Sequence, residues 1–193
     1  FHWKVYFSFK DKYPQLTFLK PKITIITVCL NADKHIENAI NSILNQTYDN
    51  IQHVIIDGGS IDSTLKIVQQ YQGKYDQLLL SERDDGIYDA MNKGIKLASG
   101  EWIYFLGSDD IFKNESVISN IFDNHFNVTN QFIYGNVIFS HSGIRYDGKF
   151  DSEKISEKNI CHQSIFYHKD LFKKFGLFEL CDLLNKSFIF LWL

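Results

Sequence analysis

The feature that most constrains this chain is a helical segment followed by a short buried strand that ends on two carboxylates. It occupies 81–112, with the sequence SERDDGIYDAMNKGIKLASGEWIYFLGSDDIF. Apolar residues recur here at spacings of three and four, which places them on one helical face: Tyr88, Met91, Ile95 and Ala98. Gly100 is predicted to stop this helix. The apolar run from Trp102 to Leu106 is typical of a strand that is buried on both faces.

Asp109 and Asp110 follow this strand almost directly. In an open α/β sheet, ligands bind outside the carboxyl ends of the strands. Two neighbouring carboxylates repel each other unless a cation lies between them, and hard oxygen ligands favour Mg²⁺ or Mn²⁺ over zinc. The alternative is a solvated turn in which Asp109 caps the next helix, since aspartate collects at caps and turns.

Composition excludes several classes of protein. At 193 residues the chain is one domain, or one domain with an extension. Its net charge of -3, without a basic stripe, argues against nucleic acid as a partner. Three cysteines without a CxxC pair favour a reducing compartment and no zinc site. No apolar run approaches the length of a membrane span and no signal peptide is recognisable, so we expect a cytoplasmic protein.

Strands and helices alternate along the chain. Strands are predicted at 23–29, 51–56, 78–80, 102–106 and 131–139, and 141–158 is predicted to be a loop or hairpin. The first helix carries the stripe Ile36, Ile40, Ile43 and Leu44. Later helices are predicted after Asp62 and Asn114 as caps, and from His168 to Phe175 before Gly176. This alternation predicts an α/β fold with a mostly parallel sheet that is covered on both faces.

Polar clusters follow three of these strands, at 29–31, 57–60 and 108–110. In a parallel sheet all three open onto the same edge, which makes their combination more informative than any one of them. Gly58 and Gly59 permit a tight turn with positive φ after the second strand. The G-x-G-x-x-G and P-loop patterns are both absent from the sequence.

Four runs together resemble a family 2 glycosyltransferase of the GT-A fold, of the bacterial cell-surface polysaccharide type. They are ITIITVCLNADKHIENAINSILNQTY, IQHVIIDGGSIDST, SERDDGIYDAMNKGIKLASGEWIYFLGSDD and CHQSIFYHKDLFKKFGLF. The resemblance implies a Rossmann-like sheet flanked by helices. It divides the chain into an extension at 1–20, a nucleotide-sugar-binding domain at 21–178 and a divergent tail at 179–193.

The resemblance also implies which residues contact the donor. Asp57 matches the carboxylate that reads the nucleobase, usually uracil, and the alternative is a cap for the following helix. For Asn92 the alternative is an ordinary exposed helix position. The other implied contacts are Thr27, Val28 and Asn31 in the nucleotide pocket, Arg83, Asp84 and Gly86 near ribose and diphosphate, Asp89 with Asn92 under the donor sugar, and Ser108 at the metal motif.

Gly107, Ser108 and Asp109 occupy the place of the family's DxD metal motif, with Gly107 where the first Asp is usual. The resemblance therefore implies Asp109 as the main ligand of Mn²⁺ or Mg²⁺, with Asp110 assisting it or positioning the ribose. Such an ion would neutralise charge on the leaving nucleoside diphosphate. His162 and Gln163 match an element on the acceptor side, and the alternative for His162 is a buried, hydrogen-bonded residue.

The catalytic base is the point at which the resemblance fails. In the family it is an acid shortly after the GLF segment, in a window that falls here near 187–189, where no acid occurs. Asp182 is the only downstream candidate, and it lies about five residues early. We expect either a truncated or altered C-terminal tail, which is the favoured explanation, or a chain in which Asp182 or another group acts as the base.

The expected function is metal-dependent, inverting transfer of a sugar from a nucleotide-sugar donor. We expect UDP as the nucleotide of this donor. The acceptor would be a hydroxyl of a cell-surface or lipid-linked glycan. One alternative is a catalytically inactive remnant that still binds nucleotide or nucleotide-sugar. Another is a generic phosphate-binding α/β protein such as a nucleotidyltransferase. The apolar ending at 187–193 is too short to span a bilayer, which leaves peripheral contact with the inner face of the cell membrane as a further expectation.

Overall fold

A six-stranded sheet forms the centre of the protein in the computed structural model, which describes residues 20–123, 131–140, 142–145, 149–157 and 160–179. The strands are β1 Ile23–Cys29, β2 Ile51–Asp57, β3 Gln77–Ser81, β4 Trp102–Phe105, β5 Phe132–Tyr134 and β6 Ile165–His168. The helices are α1 Ile36–Leu44, α2 Thr64–Gln69, α3 Ile87–Leu97, α4 Val117–Phe122, α5 Ser152–Glu157 and α6 Asp170–Phe175, with a 3₁₀-helix at His162–Ser164.

The strand order is β3-β2-β1-β4-β6-β5, so the first strand lies inside the sheet. β1, β2, β3 and β4 run parallel, whereas β6 pairs antiparallel with β4 and β5 pairs antiparallel with β6. β1 pairs with β2 on one side, from Ile23 opposite Ile51 to Cys29 opposite Asp57, and with β4 on the other side. The predicted α/β architecture with a mostly parallel sheet is confirmed.

Side chains of β4 alternate between two apolar layers. Trp102 and Tyr104 pack with residues of α1 and α4, whereas Ile103 and Phe105 pack with residues of α3 on the opposite face. All four residues are buried. The strand therefore has the near-continuous apolar sequence that is typical of a strand covered on both sides.

α3 ends earlier than the sequence indicated, and Gly100 has a different role from the one predicted. The helix ends at Leu97, and Ala98 is already extended, with ψ at 124°. The ammonium group of Lys169 donates to the Ala98 carbonyl oxygen, which satisfies a group at the helix end. A Cβ on Gly100 would lie 2.6 Å from the carbonyl oxygen of Lys22 and 2.7 Å from the backbone nitrogen of Thr24. Gly100 is therefore required because β1 passes so close, and the prediction that it stops the helix is wrong.

A buried polar network joins the same loop to the sheet. The Thr24 hydroxyl donates to Oε1 of Gln52 at 2.8 Å and accepts from the backbone nitrogen of Gly100 at 2.9 Å. The backbone nitrogen of Ser99 donates to Oε1 of Gln52 at 2.8 Å. Because buried polar groups are costly when unpaired, these bonds favour one position of the loop relative to β1 and β2.

The second half of the chain departs further from the sequence predictions. The strand predicted at 131–139 ends at Tyr134, and the next backbone nitrogen, that of Gly135, donates to the carbonyl oxygen of Ser164 at 2.8 Å. Ile138 makes an isolated antiparallel bridge to Arg145, which agrees with a hairpin in that region. α5 lies inside the segment predicted as a loop or hairpin. The last described helix begins at Asp170, because His168 still belongs to β6.

Of the predicted extension at 1–20, the structure describes only Lys20, and of the predicted tail at 179–193 only Glu179. No helix in the described parts of the chain has the length and apolar character needed to cross a membrane.

Replacing Gly100 by alanine should destabilise the fold. The new methyl group would have to displace backbone atoms of Lys22 and Thr24, and such overpacking typically costs about 1–3 kcal/mol. The matched control is Gly135→Ala, because the nearest atom to a Cβ there, the Ser164 oxygen, lies 4.0 Å away. Urea unfolding should show a lower midpoint for Gly100→Ala and little change for Gly135→Ala. Equal midpoints for the two variants would contradict this packing.

Candidate functional site

The carboxyl ends of β1, β2 and β4 lie side by side, because β1 is hydrogen-bonded to both neighbours in parallel register. The backbone nitrogen of Gly58 donates to the Cys29 carbonyl oxygen at 2.9 Å just beyond β2. The backbone nitrogen of Leu106 donates to the Ile26 carbonyl oxygen at 3.0 Å just beyond β4. The three polar clusters that the sequence placed after these strands therefore share one edge of the sheet.

Hydrogen bonds tie the turn after β1 to the turn after β2. The backbone nitrogen of Asn31 donates to the Ser60 hydroxyl at 2.8 Å, and its side-chain oxygen accepts from the backbone nitrogen of Ile61 at 2.9 Å. Asn31 has a φ of 51°, in the left-handed region that residues other than glycine rarely adopt. Such backbone strain clusters at ligand-binding sites and persists where the surroundings enforce it, as these two bonds do here.

Asp57 lies at the centre of these turns and is fully enclosed. None of its surface is exposed. Its carboxylate accepts from the backbone nitrogens of Gly59 at 3.2 Å and Ser60 at 3.1 Å, from the Ser60 hydroxyl, and from the Ser81 hydroxyl at 2.7 Å. The predicted contact of Asp57 with a nucleobase stays a prediction, since the partners of its carboxylate in this structure are all groups of the protein. Through these bonds Asp57 fastens the β2 turn to the end of β3.

The alternative role for Asp57, as cap of the following helix, is wrong, because its carboxylate bonds to Gly59 and Ser60, outside α2. Ser63 is the N-cap residue of α2, and the carboxylate of Asp62 next to it accepts from the backbone nitrogens of Thr64 at 2.9 Å and Asp33 at 3.2 Å. Cys29 donates its thiol to the Asp57 carboxylate at 3.8 Å. Burial, assisted by the nearby Asp57 charge, raises the pKa of the Cys29 thiol to about 12. The thiol therefore stays protonated near neutral pH and does not act as a nucleophile.

The segment after β3 lies directly against the turn after β2. A Cβ on Gly58 would lie 2.5 Å from Oδ2 of Asp84, so the Asp84 carboxylate sits directly over this glycine. Gly59 has a φ of +90° and is needed for its backbone conformation, whereas the predicted positive φ is absent at Gly58. Asp84 also accepts from the backbone nitrogen of Gly86 at 3.0 Å. This contact brings the predicted donor residues of 83–86 to the edge formed by β1 and β2.

Lys93, on α3, holds the segment after β3 in place. Its ammonium group contacts carboxylates of Glu82 and Asp89 at 3.0 Å each, and it donates to the Arg83 carbonyl oxygen at 3.0 Å. The hydrogen bond from Lys93 lowers the pKa of Asp89. The Asp89 carboxylate also accepts from the backbone nitrogen of Asp85 at 3.2 Å. Asp89 thus holds the 82–86 segment in place, and its predicted contact with the donor sugar gains no support from this geometry.

Asn92 is buried, with 6% of its surface exposed, so the expectation of an ordinary exposed position is wrong. Its Nδ2 donates to the Phe178 carbonyl oxygen at 2.8 Å, and its Oδ1 accepts from the Phe178 backbone nitrogen at 2.9 Å. Both polar atoms of the amide are thus engaged by one residue of the chain. Asn92 clamps the Gly176–Phe178 segment to α3, which does not fit the predicted contact with a donor sugar.

The side chain of Thr27, a predicted nucleotide contact, is engaged by another residue of the protein. It is fully buried, and its hydroxyl lies 3.0 Å from Nε2 of His53. Nδ1 of His53 lies 2.8 Å from the Tyr75 hydroxyl. Burial lowers the pKa of His53 to about 3, so the imidazole is neutral in the folded protein. His53 was not among the predicted site residues, although a lone histidine within the apolar run IQHVII is typical of a buried one. Val28 is half-buried against the layer of α3.

Two carboxylates converge over Gly107 after β4. The position that a Cβ on Gly107 would occupy lies 2.6 Å from Oδ2 of Asp110 and 3.1 Å from Oδ1 of Asp109. The backbone nitrogen of Asp110 donates to the Gly107 carbonyl oxygen at 3.1 Å, which closes the turn. Ser108, which lies between Gly107 and Asp109 in the sequence, is half-buried. The absence of a side chain at 107 is what lets the two carboxylates fold over this position.

This pair fits a divalent cation that is shared with a substrate. Carboxylate oxygens are the hard ligands that Mg²⁺ and Mn²⁺ prefer, and Mg²⁺ is commonly held by one or two carboxylates plus substrate phosphates. Within the described residues no group of three His, Cys, Asp or Glu side chains is arranged to hold a metal. Asp109 and Asp110 would therefore leave most of the coordination shell to water or to oxygen atoms of a ligand.

Gln163 lies against this carboxylate pair. Its Nε2 donates to Oδ2 of Asp110 at 2.6 Å, and its backbone oxygen accepts from the Tyr104 hydroxyl. The predicted acceptor-side role of Gln163 stays a prediction, and the contact that the structure adds is the one with Asp110. His162 begins the 3₁₀-helix that carries Gln163. Asp182, the candidate base, lies outside the described residues.

The sheet and its polar carboxyl edge have the organisation of the GT-A glycosyltransferase fold, and solved structures show the same fold. A mannosyltransferase from Pyrobaculum calidifontis, solved with GDP-Man and Mn²⁺, superposes with a TM-score of 0.69 at 16% identity, over 92% of this chain and 55% of its own. TarS 1-349 of S. aureus, solved with UDP-GlcNAc, superposes with a TM-score of 0.58 at 21% identity, over 79% of this chain and 47% of its own.

The model of glycosyl transferase family 2 matches residues 24–179, and the chain belongs to this family. A PGL/p-HBAD biosynthesis glycosyltransferase of Mycobacterium bovis is 35% identical over 166 residues, which are 83% of this chain and 64% of the relative. The Escherichia coli glucosyltransferase WfgD, which is named for UDP-Glc and a GlcNAc-diphosphoundecaprenol, is 33% identical over 171 residues. These are 86% of this chain and 61% of WfgD, so the chain spans less than two thirds of either relative.

Acid should destabilise the fold through His53. Its pKa is about 3 when folded and near 6.5 when unfolded, so the unfolded chain binds the extra proton. The stability carried by the neutral imidazole is complete above about pH 6.5 and is lost as the pH falls from there towards 3. At about pH 5 this loss amounts to about 2 kcal/mol relative to about pH 8. Urea unfolding at both pH values would measure it.

The variant for comparison is His53→Gln, which keeps polar atoms near Thr27 and Tyr75 but does not titrate. Its unfolding free energy should be lower overall but should fall less between the two pH values. An equal fall in the variant and the natural chain would show that other groups carry the acid sensitivity.

Proposed function

We propose that this chain binds a nucleotide-sugar, with UDP as the preferred nucleotide, and acts as a metal-dependent, inverting glycosyltransferase. The acceptor is a hydroxyl of a cell-surface glycan or of its lipid-linked precursor, met at the inner face of the cell membrane. The observation that carries the proposal is the convergence of Asp109 and Asp110 over Gly107, at the edge where the turns after β1 and β2 are tied together. One carboxylate pair beside a strained turn suits a diphosphate that is bridged by a cation.

The comparisons support the donor, metal and acceptor classes of this proposal. The mannosyltransferase was solved with GDP-Man and Mn²⁺, and TarS with UDP-GlcNAc, so proteins of this fold hold nucleotide-sugars, in one case with a divalent ion. WfgD is named for a diphosphoundecaprenol-linked acceptor, and TuaG of Bacillus subtilis, 34% identical over 105 residues, for teichuronic acid biosynthesis. We transfer the shared chemistry, a nucleotide-sugar donor and a surface-glycan acceptor, to this chain.

Each element at the edge has a proposed task. Asn31 and the Gly59–Ser60 turn, held in place by Asp57, form the wall beside the nucleoside. Arg83 is exposed, and its backbone nitrogen lies 3.9 Å from the Cβ position of Gly59. We assign its guanidinium to phosphate charge near this turn, because guanidinium groups form strong charge-assisted bonds with phosphate. Asp109 and Asp110 would hold Mn²⁺ or Mg²⁺, which when bound neutralises the leaving diphosphate. Inversion needs a base for the acceptor hydroxyl, and Asp182 stays the predicted candidate.

The proposal predicts that UDP binding depends on Mn²⁺ and on Asp109. Calorimetric titration with UDP should give an affinity that rises when Mn²⁺ is added. In Asp109→Asn, which keeps shape but loses charge, this gain should shrink about tenfold or more, since coordination tolerates little loss of ligand charge. The matched control is Asp49→Asn, an exposed aspartate paired with Lys20 before the start of β2. UDP binding that is indifferent to both the metal and Asp109→Asn would refute the site assignment.

Turnover separates a working transferase from a protein that only binds. The chain is incubated with UDP-sugars and Mn²⁺, with and without a membrane extract containing lipid-linked acceptors, and UDP release is measured. We expect release that requires both metal and extract. Tight, metal-dependent UDP binding without turnover would support the alternative of a nucleotide-sugar-binding remnant.

A further inference from the structure

The Gln163 side chain joins the turn after β4 to the 3₁₀-helix that precedes β6. Its Nε2 donates to Oδ2 of Asp110 at 2.6 Å. These residues lie far apart in sequence, so only the folded chain brings them together. A bond of this length to a carboxylate is short for an N–H donor, which is typical of charge-assisted contacts.

The backbone of Gln163 is held by β4, the strand that precedes the turn with Asp109 and Asp110. The Tyr104 hydroxyl, on β4, donates to the Gln163 carbonyl oxygen. β6 begins two residues later and pairs with β4, with Phe166 opposite Tyr104. Gln163 is therefore contacted twice: by Tyr104 within β4, and by Asp110 in the turn that follows β4. This closed arrangement fixes the distance between the amide and the carboxylate.

A second contact decides which way the Gln163 amide points. The Cys161 thiol donates to Oε1 of Gln163 at 3.4 Å. The 3₁₀-turn itself is closed by Ser164, whose backbone nitrogen and hydroxyl both donate to the Cys161 carbonyl oxygen, at 2.9 and 2.7 Å. Because a thiol S–H prefers the amide oxygen, Nε2 is directed towards Asp110. The amide therefore presents its donor, and not its acceptor, to the carboxylate pair.

We propose that Gln163 is a positioning residue that orients Asp110 for the divalent cation of the proposed transferase. This inference rests on the proposed function and names a task for Gln163 within that site. Two carboxylates that lie close together repel each other, and a donor on one of them both reduces this repulsion and fixes its rotamer. Outer-shell donors of this kind typically change metal affinity or activity by about 10–100-fold when removed.

The test compares variants that keep the size of Gln163 but remove its donor. Gln163→Met has similar length, Gln163→Leu keeps most of the bulk, and neither carries a polar hydrogen or a metal ligand of the carboxylate type. Mn²⁺ affinity in the presence of saturating UDP is measured from the free-ion electron paramagnetic resonance signal. UDP affinity without metal is measured by calorimetry. Gln70→Met, at an exposed position after α2, is the matched control.

We expect Gln163→Met and Gln163→Leu to weaken Mn²⁺ binding to the UDP complex about 10–100-fold. UDP affinity without metal should change by less than about twofold, because the amide does not contact the nucleotide in this proposal. A merely structural defect would lower both affinities together. Cys161→Ala keeps the Gln163 donor but frees the amide to rotate, so it should cause a smaller loss in the same direction.

Failure of the inference differs from failure of the proposed function. If the natural chain shows no metal-dependent UDP binding, the proposed function fails and the inference falls with it. If the natural chain and Gln70→Met bind Mn²⁺ with UDP and Gln163→Met binds it equally well, only the inference is overturned. A Gln163→Met protein that raises the acceptor KM alone, with unchanged Mn²⁺ affinity, would return Gln163 to the acceptor side. If Gln163→Met does not fold, unchanged Mn²⁺ affinity in both Gln163→Leu and Cys161→Ala overturns the inference.

Discussion

The parallel hydrogen bonding of β1 to β2 and β4 is the constraint on which the rest of the structure depends. It places Cys29 opposite Asp57 and brings the end of β4 to the same edge, so that three separate turns meet. It also leaves both faces of the central strands to be covered by helices, which accounts for their apolar sequences. This packing brings α3 close to β1. A Cβ on Gly94 of α3 would lie only 2.5 Å from the side chain of Ile26 in β1.

A second theme is that polar side chains near the edge are engaged by the protein itself. Asp57 is enclosed by donors from its own turn and from Ser81, Thr27 pairs with His53, and Asn92 with Phe178. A buried polar group without a partner costs free energy, so a folded chain satisfies it internally. Asn31 and Asp109 differ from these residues because both are exposed at this edge, and the proposed function assigns them to the ligand.

Sequence patterns predicted the parallel part of the sheet well, and the region after β4 less well. The strands at 23–29 and 51–56 agree with the structure to within a residue, because buried parallel strands are continuous apolar runs. The strand at 131–139 was predicted too long, since the antiparallel pairing that ends it at Tyr134 depends on Ser164. The sequence predicts Asp109 and Asp110 as candidate metal ligands from their position after a strand. The hydrogen bond from Gln163 to Asp110 cannot be predicted from local sequence, because the two residues lie far apart along the chain.

The sequence by itself determined the class of fold, the family and the edge of the sheet where chemistry would be placed. Those conclusions rest on local periodicity and on short motifs, both of which are visible along the chain. The tertiary structure decided what each polar residue at that edge does. Whether a carboxylate, hydroxyl or amide faces a ligand or a neighbouring strand depends on partners many positions away, such as Ser81 for Asp57 and Phe178 for Asn92. Hydrogen-bond partners are set by three-dimensional packing, and spacing along a chain does not encode them.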